Sequence, residues 1–173
     1  MRNKKIIFIL LAMIFVLTAC GSNEESSGRS IFGNFKVETL DGNEVTDKIF
    51  EEAELTMVNI WGTFCGPCIN EMPALGEISR EYEGKGFQIV GLISDVTEAG
   101  DETALQIVEE TQADYVHMVA SEDHQKGILK YINTYPTTIF VDKDGNVVGE
   151  IQVGAQSKDQ WETLIDEYLN GEQ

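Results

Sequence analysis

The stretch WGTFCGPCINE, residues 61–71, sets Cys65 and Cys68 three positions apart, between an apolar run and an amphipathic one. Upstream, LTMVNIWG (55–62) is short and apolar, the pattern of a strand buried on both faces. Downstream, Ile69, Met72, Leu75 and Ile78 recur at spacings of three with Gly84 beyond them, which predicts a helix from about residue 66 to 82. Cys65 therefore stands where a strand turns into a helix. The first-turn N–H groups there have no intrahelical partner, and the helix dipole adds partial positive charge. Free cysteine titrates near about 8.5, whereas Cys-X-X-Cys pairs in this setting fall to roughly 3.5–7.5, so a thiolate at Cys65 is stabilised. Pro67 fits the first helical turn, where its missing N–H costs nothing. Cys68 lies nearly one turn on, within disulfide reach and more covered. Such a pair can be a redox centre, a metal site or a structural bridge. As a redox centre, Cys65 would attack a partner disulfide and Cys68 would resolve the mixed disulfide.

Working outward, GFQIVGLISD (86–95) reads as a second buried strand, so strand, helix and strand form a βαβ unit with a right-handed crossover. Before it, NFKVETLDGNEVT (34–46) alternates around Asp41-Gly42 as a β-hairpin does. After it come a helix over 101–112, a short strand YVHMV (115–119) and a helix over about 122–131. PTTIFVD (136–142), the Asp144-Gly145 turn and VVGEIQV (147–153) predict a second hairpin. A last helix starts from a Ser157 cap and carries Trp161, Leu164, Ile165, Tyr168 and Leu169 on its apolar face. The sum is an α/β fold: a central mixed sheet flanked by helices.

The chain has 173 residues, 42% of them hydrophobic, enough for one core and short for two domains. Arg2, Lys4 and Lys5 precede IIFILLAMIFVLTA (6–19) and then Cys20-Gly21-Ser22, the layout of a secretory signal. That apolar run is 14 residues, against roughly 20 for a membrane-spanning helix. Residues 1–19 are thus expected to be a signal peptide. SNEESSGRS (22–30) has no apolar residue and reads as a flexible tether, so 20–32 separates the signal from a folded domain over 33–173. Removing 1–19 takes three of the 12 Lys+Arg and none of the 30 Asp+Glu, leaving a formal charge of −21. Nucleic acid is not expected as a partner, and an anionic membrane would repel the protein face.

Several features together carry a family resemblance. WGTFCGPC after a buried strand and YPTTIFVDKDG about 70 residues later resemble the thioredoxin superfamily. The lipobox-like Leu17-Thr18-Ala19-Cys20, the N-terminal hairpin and the helix-strand insertion over 101–119 point to its extracytoplasmic TlpA/ResA-like thiol-disulfide oxidoreductases, a branch related to the AhpC/TSA redoxins. The resemblance covers roughly residues 33–170. It implies a redox-active Cys65–Cys68 disulfide and a lipid on Cys20. It also implies a cis-proline at Pro136, with Tyr135, Pro136 and Thr137 lining the groove for a partner's chain. Thioredoxin carries a buried Asp six residues before its first cysteine, where Asn59 stands here and cannot act as a base. The TlpA/ResA-like branch often has Glu three residues after the second cysteine, and Glu71 matches. A carboxylate there could take the Cys68 proton if burial raised its pKa toward neutrality; the alternative is an acid that only favours the helix dipole. Trp61 is expected beside the groove, although an aromatic next to a core strand also serves as packing. The implied partners are a transmembrane electron donor and an oxidised exported protein, with apocytochrome c and methionine sulfoxide reductase as candidates. The implied location is outside the cytoplasm, lipid-anchored to the cell membrane. The Gly66-Pro67 dipeptide matches thioredoxin and favours a reductant, with no cofactor.

Competing chemistries leave weaker traces. His117 and His124, the two histidines, have no zinc spacing with a single Cys-X-X-Cys, so no metal is expected. A peroxiredoxin-like peroxidase would need P-x-x-x-[T/S]-x-x-C, but Val58 and Gly62 occupy those offsets from Cys65. Haem attachment would need histidine after Cys68, where Ile69 stands. A lipoprotein binding module with an inert Cys65–Cys68 bridge is the reading from another class. It predicts that losing either cysteine alters stability and abolishes no turnover.

Overall fold

The computed structural model describes residues 30–171. The expected signal segment, Cys20 and nearly all of the tether lie outside the described residues. A five-stranded sheet in the order β5-β4-β3-β6-β7 forms the centre. Its strands are β3 (Leu55–Trp61), β4 (Phe87–Ile93), β5 (Val116–Val119), β6 (Thr137–Asp142) and β7 (Val147–Val153). β3, β4 and β5 are parallel, β6 runs antiparallel to β3, and β7 runs antiparallel to β6 and so in the same direction as β3. The sheet is therefore mixed, as the strand-helix-strand and hairpin signals predict. β1 (Lys36–Glu38) and β2 (Glu44–Thr46) form a separate antiparallel pair. It meets the sheet at β5, through a Thr39–Met118 bridge and a hydrogen bond from Leu40 N–H to the His117 carbonyl.

Helix α1 (Gly66–Glu81) crosses between β3 and β4, and its buried stripe is Cys68, Glu71, Met72, Leu75, Gly76 and Ile78. Ile69, expected in that stripe, is half-buried, because the inward face is set by Cys68 and runs through Met72 rather than Ile69. α1 shares one face of the sheet with α2 (Glu102–Thr111) and α4 (Lys158–Leu169), which bring Ala104, Trp161 and Ile165 into the core. Gly76 makes the α1–α2 contact possible: a Cβ there would collide with the Gln112 carbonyl. The opposite face is covered by Phe32, Phe35, Ile49 and Phe50 and by Ile128 and Leu129. Phe32, placed in the tether by composition, is buried against Phe50 at a ring separation of 5.6 Å, so the packed chain begins before residue 33.

One predicted helix divides. Over 122–131 the chain forms α3 (Glu122–Lys126) and then a 3₁₀ turn, Ile128–Tyr131. Gly127, at φ −93° and ψ −112°, leaves the helical region and ends α3, which turns Ile128 and Leu129 onto the sheet.

Candidate active site

β3 ends at Trp61, and Gly62–Phe64 turn the chain into α1. Thr63 N–H donates to both carboxylate oxygens of Asp95, at 3.0 and 3.2 Å, and Cys65 N–H donates to the Gly62 carbonyl at 3.0 Å. Held between these bonds, Cys65 is the N-cap of α1, and its Sγ accepts from Cys68 N–H at 3.2 Å. That donor is one of the orphan N–H groups of the first turn, aimed at the sulfur that the sequence predicts as nucleophile. Cys65 and Cys68 are joined in a disulfide, with Cys65 5% exposed and Cys68 fully buried. The two sulfurs therefore differ in access, the outer one just reaching the surface and the inner one enclosed.

Glu71, one turn beyond Cys68, is only 4% exposed although it is a carboxylate. Each of its oxygens has a donor: Asn59 Nδ2 donates to Oε1 at 3.0 Å, and Gln156 N–H donates to Oε2 at 3.2 Å. Burial pushes the Glu71 pKa above the ordinary carboxylate value. The two hydrogen bonds oppose that rise, and the Trp161 indole N–H acts in the same direction without reaching hydrogen-bond geometry. Glu71 is thus a buried carboxylate with a raised pKa, one helical turn from the inner cysteine.

The Tyr135–Pro136 peptide bond is cis. Pro136 is buried, and its carbonyl accepts from Gly154 N–H at 2.9 Å. Thr137 is 3% exposed and its hydroxyl donates to the Thr134 carbonyl at 2.7 Å, so this side chain is committed to its own loop. Tyr135 is half-buried and packs edge-on against Phe64, with ring centroids 5.6 Å apart. Trp61, expected along the groove, is 0% exposed and does not line it. Strand alternation turns its indole beneath α1, where Nε1–H donates to His117 Nδ1 at 3.2 Å. The surface aromatic is Phe64, 66% exposed at the turn just before Cys65.

His117 Nε2 lies 2.8 Å from the Ala113 carbonyl, which fixes the neutral tautomer with Nε2–H as donor and Nδ1 as acceptor for Trp61. Burial lowers its pKa to about 4, against the smaller upward pull of the Ala113 bond. Ser121 caps α3: its Oγ accepts from His124 N–H at 3.2 Å, and His124 Nδ1 accepts from Ser121 N–H at 3.3 Å. Among the described residues, no three of His, Cys, Asp and Glu are grouped to hold a metal. Asn59 is marked in the sequence only by its place six residues before Cys65, and Thr138, Gln156 and Trp161 carry no local signal for Glu71, Gln156 reaching the carboxylate from 85 positions away.

Comparison with known proteins agrees with this geometry. Residues 27–165 match the Redoxin family. The thiol-disulfide oxidoreductase ResA of one Bacillus cereus strain is 31% identical over 170 residues, covering 91% of this chain and 94% of that protein. The ResA of a second Bacillus cereus strain, ATCC 10987, is 31% identical over 98% of this chain and 97% of its own length. Among solved structures, a thiol:disulfide interchange protein of the thioredoxin family from Chlorobium tepidum TLS superposes with a TM-score of 0.66 at 25% identity, over 79% of this chain and 93% of that one. StoA from Bacillus subtilis, at 15% identity and a TM-score of 0.60 over 77% and 96%, shares the fold. The chain belongs to the Redoxin family of the thioredoxin superfamily and is a ResA-like thiol-disulfide oxidoreductase.

Proposed function

We propose that this oxidoreductase works as a membrane-tethered reductant of disulfides in exported proteins. The observation that carries the reading is the pairing of an outer Cys65 at the α1 N-terminus with an enclosed Cys68 one turn from buried Glu71. From the dithiol form, the Cys65 thiolate attacks one sulfur of the partner's disulfide. An S–S bond to Cys65 forms, the partner's S–S bond breaks, and one partner thiolate leaves. Cys68 then gives its proton to Glu71 and attacks Cys65 Sγ. The Cys65–Cys68 bond closes and the second partner thiolate departs, so two electrons have moved to the partner. A membrane-embedded donor of two electrons restores the dithiol. Tyr135, Pro136 and Thr137 form the loop beside the pair where the partner's chain would lie, with Phe64 as the aromatic above it. A lipid on Cys20 would supply the tether; among the described residues no helix is long and apolar enough to cross a membrane.

The reduction potential of the pair in defined thiol buffers tests the direction of electron flow. A value at or below about −270 mV, that of thioredoxin, supports a reductant, and one near about −120 mV makes the protein a donor of disulfides instead. A pair that can be reduced only by unfolding the domain would overturn both. A Cys68→Ser variant is expected to accumulate a mixed disulfide through Cys65 with its exported partner, visible as a thiol-sensitive shift on non-reducing gels.

A further inference from the structure

We infer that Asn59 is a positioning residue for Glu71, keeping its carboxyl in one place through both of its protonation states; this rests on Glu71 being the acceptor of the Cys68 proton. Asn59 is fully buried in the middle of β3, opposite Gly91 of β4 and Thr138 of β6. Its Nδ2 donates both to Glu71 Oε1 and to Thr138 Oγ1, each at 3.0 Å, while its Oδ1 has no hydrogen-bond partner. An unmet buried acceptor is a standing destabilisation that an apolar side chain of similar size would remove. What the amide provides in return is reversible polarity. With Glu71 ionised, the NH₂ faces the carboxylate. A half-turn about the terminal torsion exchanges Oδ1 and Nδ2, and the free carbonyl then accepts from a protonated Glu71 at the same position. The Thr138 hydroxyl accepts in the first state and donates in the second, so it serves both.

The two other groups that act on the Glu71 oxygens do not offer this. Gln156 presents a main-chain N–H and Trp161 of α4 an indole N–H, both donors only. Tyr115, just ahead of β5, is the other titratable side chain facing the carboxylate from a different element, and its burial holds it neutral. On α1 itself the titrating neighbour is Cys68, the group whose proton is to be taken.

The test isolates the resolving step. The full chain in a Cys20→Ala background is reduced and loaded at Cys65 with 2-nitro-5-thiobenzoate. Attack of Cys68 on Cys65 Sγ breaks the mixed disulfide and releases the coloured thiolate while the Cys68 proton passes to Glu71. The rate is followed against pH. Asn59→Leu removes the donor to the carboxylate, so the midpoint is expected to rise by about one pH unit or more, slowing release about tenfold below it. Asn59→Ala removes the same donor with a smaller side chain and is expected to raise the midpoint in the same direction; it carries the test if the leucine variant does not fold. Thr138→Val, one strand away, is expected to move the midpoint in the same direction by less. Glu71→Gln separates the two readings. If it leaves the pH profile as in the unaltered protein, Glu71 is not the acceptor and the proton reading fails. If it removes the titration while the Asn59 variants leave the midpoint in place, the positioning inference alone is overturned.

Discussion

Protonating His117 is the perturbation whose size follows most directly from the structure. In the folded chain its imidazole is neutral, with Nδ1 accepting from Trp61 and Nε2–H directed at the Ala113 carbonyl. Adding a proton to Nδ1 would set two N–H donors against each other in a buried site. The pKa falls accordingly from an ordinary 6.5 to about 4. Between these values the unfolded state binds the proton and the folded state does not, so stability falls as pH falls, and the loss is complete only below the folded value. Integrated from pH 7.5 to pH 4, the difference is about 3 kcal/mol, almost all of it below pH 6.5. The assay is urea unfolding followed by tryptophan fluorescence at a series of pH values, for the unaltered protein and for His117→Gln, which does not titrate. The carboxylates and His124 titrate in both proteins, so the difference between the two stabilities isolates His117. That difference should decline by about 3 kcal/mol across the window, with the unaltered protein losing more. A difference that changes by less than about 1 kcal/mol would show that His117 accepts a proton inside the fold, and that the Trp61 bond does not fix its state.

Three further outcomes are expected. Gly76→Val drives a side chain into the Gln112 carbonyl and should lower stability by about 1–3 kcal/mol in urea; an unmoved midpoint would mean that α1 and α2 pack less closely than described. Phe64→Ala should leave stability within about 0.5 kcal/mol, since the ring is 66% exposed, while slowing reduction of a protein disulfide several-fold more than that of a small-molecule disulfide. Equal slowing of both substrates would place Phe64 in the chemistry and not in docking. Asp95→Ala removes the acceptors for Thr63 N–H at 3.0 and 3.2 Å, and amide exchange at Thr63 should accelerate, with a stability change of about 0.5–1.5 kcal/mol.

The legible part of this molecule was local. Apolar runs of strand length around Val58 and Val90, the three-residue spacing on α1 and the Ser157 cap each encode a neighbourhood of a few residues, and the fold class follows from their order. Cys65 and Cys68 were legible for the same reason, because a helix start fixes both positions. Glu71 could be named by its place in a known pattern, but its surroundings could not: Asn59 meets it because α1 packs back over β3, and Gln156 through chain return after β7. Trp61 is expected beside the groove from its sequence because an aromatic at the end of a strand carries no mark of which side it takes. The deciding residue was Gly91 on the neighbouring strand, whose missing side chain leaves room for the Trp61–His117 bond. The break at Gly127 was visible as a glycine, yet helical pattern on both sides of it concealed that the chain turns there.

The N-terminal hairpin has a consequence for how copies of this protein can meet. By bridging Thr39 to Met118 it covers part of the β5 border of the sheet, and β7 at the other border pairs on one side only among the described residues, with Val147, Ile151 and Val153 exposed along it. A sheet that can grow from both borders stacks copy upon copy without limit, whereas one with a single open border has nowhere to continue once that border is used. Two molecules joined β7 to β7 would cover both β7 borders at once. Edge-to-edge contact of two copies along β7 would therefore leave, among the described residues, only the three-residue β2 edge of the hairpin for any further strand.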